Sequence, residues 1–422
     1  MNGRRNALRS LGAVALASLL GISGAAAQSG NPIKVGMTLA LTGAGAPAGK
    51  MIQAAIEIWR DDVNAKGGML GRPVEVIVYD DQSNPANVPN LYTKLISVDK
   101  ADLLLGPYGT NYVAPVMPTI IQNKKLLISY TAIGINDQYK YDKYFSMVPV
   151  GSDGVNGFSR GFFEMAAKQN PKPQTVAIIA ADAEFAQGAA QGAREELKKH
   201  GFKLIFDKSY PPNTTDFTPV MRAVQAANAD IVYAGAYPPD SVGLVRAANE
   251  IGLNPKMFGG ALIGQLVTPI KAQLGAVQNG LVIAESFVPS PKLNFPGLDD
   301  LMKRYQAKAG ELKTDQIGFA FVPFGYTNGQ ILDQAVTATK SLDQDVLAKY
   351  IHSHSFKTVV GELSFGADGE WAKPRMVLTQ FQNIEPNNVE QFKSGAKQPI
   401  LWPPELASGT MIYPYAEARK KP

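Results

Sequence analysis

Apolar positions along this chain fall into two alternating patterns: short runs of strand length, and longer stretches in which every third or fourth residue is apolar. Ile33–Leu41 is the first run, closed by the small-residue segment Thr42-Gly43-Ala44-Gly45-Ala46-Pro47. A run this short, bounded by glycine and proline, reads as a buried strand. Ile52, Ile56, Trp59 and Val63 then share one helical face, and Lys66-Gly67-Gly68 puts a cation and glycines at its C-terminus. Val74–Tyr79 is the next strand, Asp80–Pro85 a polar turn, and residues 86–98 the next helix. Leu103-Leu104-Leu105 and Leu126–Ser129 repeat the strand signal, with Tyr112, Val113, Val116 and Ile120 at helical spacing between them. Strands alternating with helices across short loops predict a parallel sheet covered by helices on both faces.

After Tyr144-Phe145-Ser146-Met147 the pattern starts again. A helix over 153–169 precedes a strand at Thr175–Ala180, and the loop Asp182–Gly188 opens a helix that runs to His200-Gly201. Strands at Lys203–Ser209, Ile231–Ala234, Met257–Gly259 and Leu281–Glu285 alternate with helices over 217–228 and 239–251. Two such series in succession predict two α/β lobes. From Phe295 onward the period is helical, over 297–309, 319–340 and 344–352. Gly361–Phe365 and Arg375–Phe381 then read as a strand pair around Asp368-Gly369, and Pro399–Pro414, rich in proline and aromatics, as a tail across the surface.

Composition narrows the function. Of 422 residues, 45% are hydrophobic and 18% charged, as in an ordinary soluble globular protein. Arg4, Arg5 and Arg9 form a basic start, Leu11–Ile22 an apolar segment too short to span a bilayer, and Ala25-Ala26-Ala27 a small-residue cleavage site. Residues 1–27 therefore read as an export signal, cleaved near Ala27, and the twin arginine fits either Sec or Tat export. Without that segment the formal charge falls from +5 to +2, so no basic cluster argues for nucleic acid. There is no cysteine, which excludes a disulfide framework and a lipid-anchored cysteine. A free protein in an extracytoplasmic space, a periplasm, is expected.

Catalytic chemistry finds little support in the residue types. The three histidines are His200 at a helix end, and His352 and His354, two apart and so on different sides of a helix. With no cysteine, neither zinc nor Cys/His nucleophilic chemistry is expected, and no GxSxG elbow is present. Gly43–Lys50 follows a strand and opens a helix, but Met51 stands where a Walker loop needs Ser or Thr. As a dinucleotide fingerprint it is stiffened by Pro47, and its acid, Asp80, comes too late. The stretch Asp102–Pro118 is different. Its strand stops at Gly106-Pro107, Gly109-Thr110-Asn111 makes a tight turn, and a helix follows. That turn is either an ordinary strand-to-helix loop or a seat for an anion, held by N–H groups at a helix start.

Three segments in order carry a resemblance: VNAKGGMLGRPVEVIVYDDQSNP (Val63–Pro85), LLLGPYGTNYVAP (Leu103–Pro115) and DFTPVMRAVQAANADIVYAGAYPPDSVGLVRAANEIGL (Asp216–Leu253). Together they resemble the branched-chain-amino-acid-type (type I) periplasmic substrate-binding proteins of ABC transporters. The resemblance implies an α/β fold of two Rossmann-like lobes with parallel sheets, joined by a three-strand hinge. The lobes would be residues 28–148 plus 288–360 and residues 149–287 plus 361–395, followed by a tail over 396–422. Crossovers would fall at Val148–Gly151, Phe287–Ser290 and Val359–Gly361.

The resemblance also implies ligand contacts. The carboxylate would sit on Gly109 and Thr110 and on the loop Thr131-Ala132-Ile133, where Ile133 can offer only its backbone N–H. Phe185 and Tyr237 of the second lobe, and Tyr326 of the late helical segment, match the family's cleft aromatics. Ala261 stands where amino-acid-binding members carry a glutamate for the ligand ammonium, and Ala48 replaces a closing aromatic. A buried ammonium without a counter-charge costs several kcal/mol, so an aromatic or acyl acid is expected in preference to an amino acid. The expected partners are that small carboxylate and ABC permease subunits, for a monomer with no cofactor and no enzymatic activity. Rival readings are an amino-acid- or amide-binding homologue such as a urea binder, the ligand domain of a sensor, and an exported NAD-dependent oxidoreductase.

Overall fold

The computed structural model describes residues 30–420, so the expected signal segment at 1–27 lies outside the described residues. The first lobe opens with β1 (Ile33–Leu39), α1 (Ala46–Ala65), β2 (Val74–Asp80), α2 (Val88–Ser97), β3 (Leu103–Leu105), α3 (Thr110–Gln122), β4 (Leu127–Ser129), α4 (Ile135–Tyr139) and β5 (Tyr144–Ser146). Its sheet has the order β2-β1-β3-β4-β5, with every pairing parallel. Strand β3 shows why its leucines are continuous. Leu103 and Leu105 enter the core beneath α1, whereas Leu104 enters the core beneath α2 and α3. A strand covered on both faces has no polar side to show.

The second lobe comprises α5 (Arg160–Ala167), β6 (Thr175–Ala181), α6 (Glu184–Lys199), β7 (Lys203–Tyr210), α7 (Thr218–Ala227), β8 (Ile231–Ala236), α8 (Pro238–Glu250), β9 (Met257–Leu262), α9 (Thr268–Leu274) and β10 (Val282–Glu285). The chain then returns to the first lobe as α10 (Leu298–Ala309), α11 (Val322–Thr339), α12 (Gln344–Ser353), β11 (Ser355–Thr358) and β12 (Gly361–Ser364). Strands β13 (Val377–Gln380) and β14 (Ile400–Trp402) and helix α13 (Tyr415–Ala418) complete the described chain. The second sheet runs β14-β13-β10-β9-β8-β6-β7, parallel from β10 to β7 and antiparallel at β13 and β14. Two α/β lobes with parallel-dominated sheets are thus present, as the alternating pattern predicts.

Four expectations need correction. The helix expected over 153–169 is a 3-10 turn, Gly154–Phe158, followed by the shorter α5. Gly157 lets that turn press against Val150, where a Cβ would lie 2.4 Å from Val150 Cγ1. Second, the late strands do not pair with each other. Strand β12 forms a hairpin with β11, and β13 joins β10 in the second sheet. Third, the crossover expected at 359–361 comes later, because Leu363, Phe365 and Trp371 are still buried in the first-lobe core. The chain leaves through residues 372–376, where Arg375 N–H donates to Pro149 O of the first crossover at 2.8 Å.

Fourth, the tail is built into the second lobe rather than laid over it. Ile400–Trp402 is an edge strand, Trp402 Nε1 donates to Glu164 at 2.8 Å, and buried Tyr415 packs edge-on against Phe258. A buried ion pair, Lys271 to Glu285 at 3.1 Å, is joined by Gln398, whose Oε1 accepts from Lys271 Nζ at 2.9 Å. Burial pushes the Glu285 carboxyl up, and the Lys271 ammonium opposes that shift. Beside the second crossover Thr268 N–H donates to Asp315 of the first lobe at 2.6 Å, a direct tie between lobes.

The glycine-rich opening of α1 has a packing role. A Cβ on Gly49 would lie 1.9 Å from Ala40 O, so only glycine lets α1 start against the end of β1. Gly49→Ala is expected to lower stability by about 1–3 kcal/mol or more, read as a fall in the denaturation midpoint. An unchanged midpoint would show that α1 moves aside without cost.

Candidate functional site

Loops that follow β3, β4, β6 and β8, and the end of β9, carry the candidate residues, because each of those strands ends at the same edge of its sheet. Gly109, with φ of 97°, occupies backbone space that favours glycine and turns the chain from β3 into α3. Thr110 is the first residue of α3 and is 7% exposed. Among the described residues no acceptor is found for the N–H groups of Thr110 and Asn111, the orphan donors of a helix start. Thr131 buries its hydroxyl with no partner among the described residues, and Ala132 is fully buried, its carbonyl accepting from Ser146 Oγ at 2.8 Å.

Ile133 departs from the expectation. Its N–H donates to Thr110 Oγ1 at 3.2 Å and is therefore spent inside the first lobe. Its side chain instead enters an apolar cluster with Phe158, Phe185, Ala261 and Met376, against which Tyr237 packs. Phe185 meets Phe158 edge-on at 5.3 Å and Tyr237 edge-on at 5.9 Å. Ala261, at the end of β9, is fully buried in this cluster, so apolar contacts surround the position. Burial pushes the Tyr237 phenol well above its ordinary pKa, keeping it a neutral donor. Gly109, Thr110, Ile133, Phe185, Tyr237 and Ala261 are thus brought to one place from the turns after four strands and from the end of β9.

Two expected residues lie elsewhere. Tyr326 sits on α11, where its phenol donates to Asp62 of α1 at 2.7 Å. Arg304 also holds Asp62, at 2.7 Å, making an α1–α10–α11 clasp away from the cleft residues. Although burial opposes it, hydrogen bonds from Arg304 and Tyr326 hold the Asp62 carboxyl below its usual range. Ala48 is 4% exposed and belongs to the first-lobe core. It is a small core residue in the first turn of α1.

The period-based reading missed Asn111. Its Oδ1 accepts from Tyr237 OH at 2.5 Å and from Phe185 N–H at 3.3 Å, so the first lobe grips two second-lobe groups directly. Its position beside Thr110 in the turn was the available signal. Tyr108, edge-on to Phe321 at 5.3 Å, is a further aromatic from the same turn. Among the described residues no cluster of histidine, aspartate or glutamate is arranged to hold a metal ion.

The reassignment of Tyr326 can be measured. Tyr326→Phe removes one hydrogen bond to a charged acceptor and is expected to cost about 1.5–3 kcal/mol of stability at most. Ligand affinity should be unchanged; a tenfold loss with an intact fold would return Tyr326 to the cleft.

Relatives agree with this architecture. A sequence model described as periplasmic binding protein matches residues 32–385. The Leu/Ile/Val-binding protein of Escherichia coli (strain K12) is 24% identical over 309 residues, 73% of this chain and 80% of that protein. Among solved structures, a branched-chain amino acid transporter substrate binding protein from Streptococcus pneumoniae, in complex with isoleucine, matches with a TM-score of 0.71. It is 19% identical, and the match covers 84% of this chain and 97% of that one. A solute binding protein of an ABC transporter from Rhodopseudomonas palustris BisB5, in complex with 3,4-dihydroxy benzoic acid, gives a TM-score of 0.69. That protein is 19% identical, with 83% of this chain and 93% of that one covered. With two lobes of this fold and a family match over most of its length, the chain belongs to the periplasmic binding protein family, in its type I, branched-chain-amino-acid-transporter form.

Proposed function

We propose that this protein captures a small carboxylate, an aromatic or acyl acid in preference to an amino acid, and delivers it to an ABC permease. Family membership carries the coarser statement: it is a periplasmic solute-binding protein of the ABC-transporter type. The finer reading rests above all on Ala261. An α-ammonium placed beside a fully buried alanine among Phe158, Phe185 and Ile133 would have no counter-charge there, at a cost of several kcal/mol. On the other side, the unpartnered N–H groups of Thr110 and Asn111 and the orphaned Thr131 hydroxyl are donors of the kind a carboxylate accepts from. Phe185 and Tyr237 add flat apolar faces, the Tyr237 hydroxyl being spent on Asn111 Oδ1.

Two of the matched structures hold the two ligand classes at issue, isoleucine in one and 3,4-dihydroxybenzoic acid in the other. The amino-acid alternative is favoured by the Leu/Ile/Val-binding relatives, at 24% identity. Buried groups around the cleft favour the acid. A panel of aromatic acids, oxo acids, amides and amino acids separates them by thermal shift. A ligand at about a hundred times its Kd stabilises the native state by roughly 2.7 kcal/mol. The largest shift is expected from an aromatic or oxo acid; the largest shift from leucine or valine would overturn the reading from Ala261.

With that ligand, Thr110→Val is expected to weaken binding about tenfold or more, because it removes the hydroxyl proton that can donate to the carboxylate while the hydroxyl oxygen accepts from Ile133 N–H. Phe185→Ala should weaken binding through lost ring contact. Calorimetric titration measures both. Unchanged affinity in Thr110→Val would move the carboxylate elsewhere in the cleft.

A further inference from the structure

We propose that Asn111 is a positioning residue that latches the two lobes, holding Phe185 and Tyr237 against the first lobe whether or not a ligand is present. The inference rests on the cleft being the ligand site, but its first test needs no ligand.

Asn111 is the second residue of α3, and its carboxamide reaches out of the first lobe to two separate elements of the second. Phe185 N–H belongs to the first turn of α6, and Tyr237 immediately precedes α8. A backbone N–H can only donate, so it fixes the carboxamide with Oδ1 facing the second lobe. Oδ1 thereby closes a three-way junction from β3, β6 and β8. The same contact leaves the Asn111 Nδ2 donors without a partner among the described residues, alongside the orphan N–H groups of the helix start. The oxygen therefore does the closing, and the amide hydrogens remain for a ligand acceptor.

The neighbouring contacts explain why this latch needs an acceptor. Both second-lobe partners are donors when they face the first lobe, and Thr110 Oγ1 is already occupied by Ile133 N–H. Phe185 N–H also donates to Tyr237 OH at 3.2 Å within the second lobe, so without Asn111 Oδ1 it would keep that one contact, while the part-buried Tyr237 O–H would be left with no acceptor, which favours opening toward water. A ligand that binds only the closed form then has apparent affinity set by the fraction of molecules already closed. Asn111 thus sets affinity through Phe185 and Tyr237 as well as by any direct contact.

Three variants test this: Asn111→Leu, which is close in size and has no acceptor; Asn111→Asp, which keeps an acceptor and loses the amide donors; and Tyr237→Phe, which removes one donor to Asn111 Oδ1 and leaves that oxygen as the remaining acceptor of Phe185 N–H. Small-angle scattering on ligand-free protein is expected to give a larger radius of gyration for Asn111→Leu than for wild type. Tyr237→Phe should shift in the same direction, and Asn111→Asp should retain the wild-type value. For the best acid from the panel, Asn111→Leu should lose roughly tenfold in affinity or more. Asn111→Asp should lose affinity for the acid while staying compact, because a carboxylate there repels the ligand. Ligand-free scattering that is identical for wild type, Asn111→Leu and Tyr237→Phe, with each variant folded by its melting transition, would overturn the latch. If Asn111→Leu does not fold, Tyr237→Phe decides alone. A panel with no binder would count against the acid reading only, since the scattering comparison stands without it.

Discussion

In a parallel sheet every strand ends at the same edge, and the helix that follows each strand begins there. That constraint places the start of α3 and the starts of α6 and α8 where two such edges meet. Helix starts bring unpaired N–H groups with them, so the edge is rich in donors before any side chain is chosen. The sequence then adjusts what those donors face. On the first lobe it supplies Gly109 for the turn and Thr110 and Asn111 for polar reach. On the second it supplies Phe185 and Tyr237, whose rings wall the same space. The apolar cluster from Ile133 to Ala261 seals the remainder.

How far this could be read in advance depended on which physical signal each part leaves in the chain. Strands buried on both faces leave apolar runs, so β1, β3, β6 and β8 were legible within a residue or two. Their pairing partners were less so. Strands β12 and β13 are sequence neighbours joined by a turn signal, yet one lies in a hairpin of the first lobe and the other in the sheet of the second. The hidden factor was Trp371 and Phe365, whose burial keeps the chain on the first lobe past the expected crossing. Strand β14 was hidden by the prolines around it, since a three-residue edge strand needs few ladder donors.

Site residues divide in the same way. Thr110, Phe185 and Tyr237 sit in loops at strand ends, where position along the chain nearly fixes position in space. Tyr326 sits mid-helix, and α11 buries residues on several sides, among them Val322, Phe324, Thr327, Asn328 and Leu332. A helix buried on several sides, with polar residues among the buried ones, does not disclose which face meets the cleft. Glycines settle it structurally: Gly325 and Gly329 press α11 onto Ala55 and Trp59 of α1, which turns Tyr326 toward Asp62. Asn111 left no periodic trace, because the reach of a single polar side chain across a gap is a tertiary fact.

The way the chain passes back and forth between lobes has a consequence for how the molecule comes into being. The first lobe is finished by α11 and β12, and the second sheet by β13 and β14, so each lobe is interrupted by part of the other. Neither core can close on an emerging chain until segments from beyond residue 320 arrive, long after β1 and α1 have been made. Bringing such distant segments together costs chain entropy before any contact repays it, and topologies of this kind fold slowly. The early strands therefore wait with their apolar faces uncovered. That delay favours a chain that crosses a membrane extended, and it burdens one that must fold before it crosses.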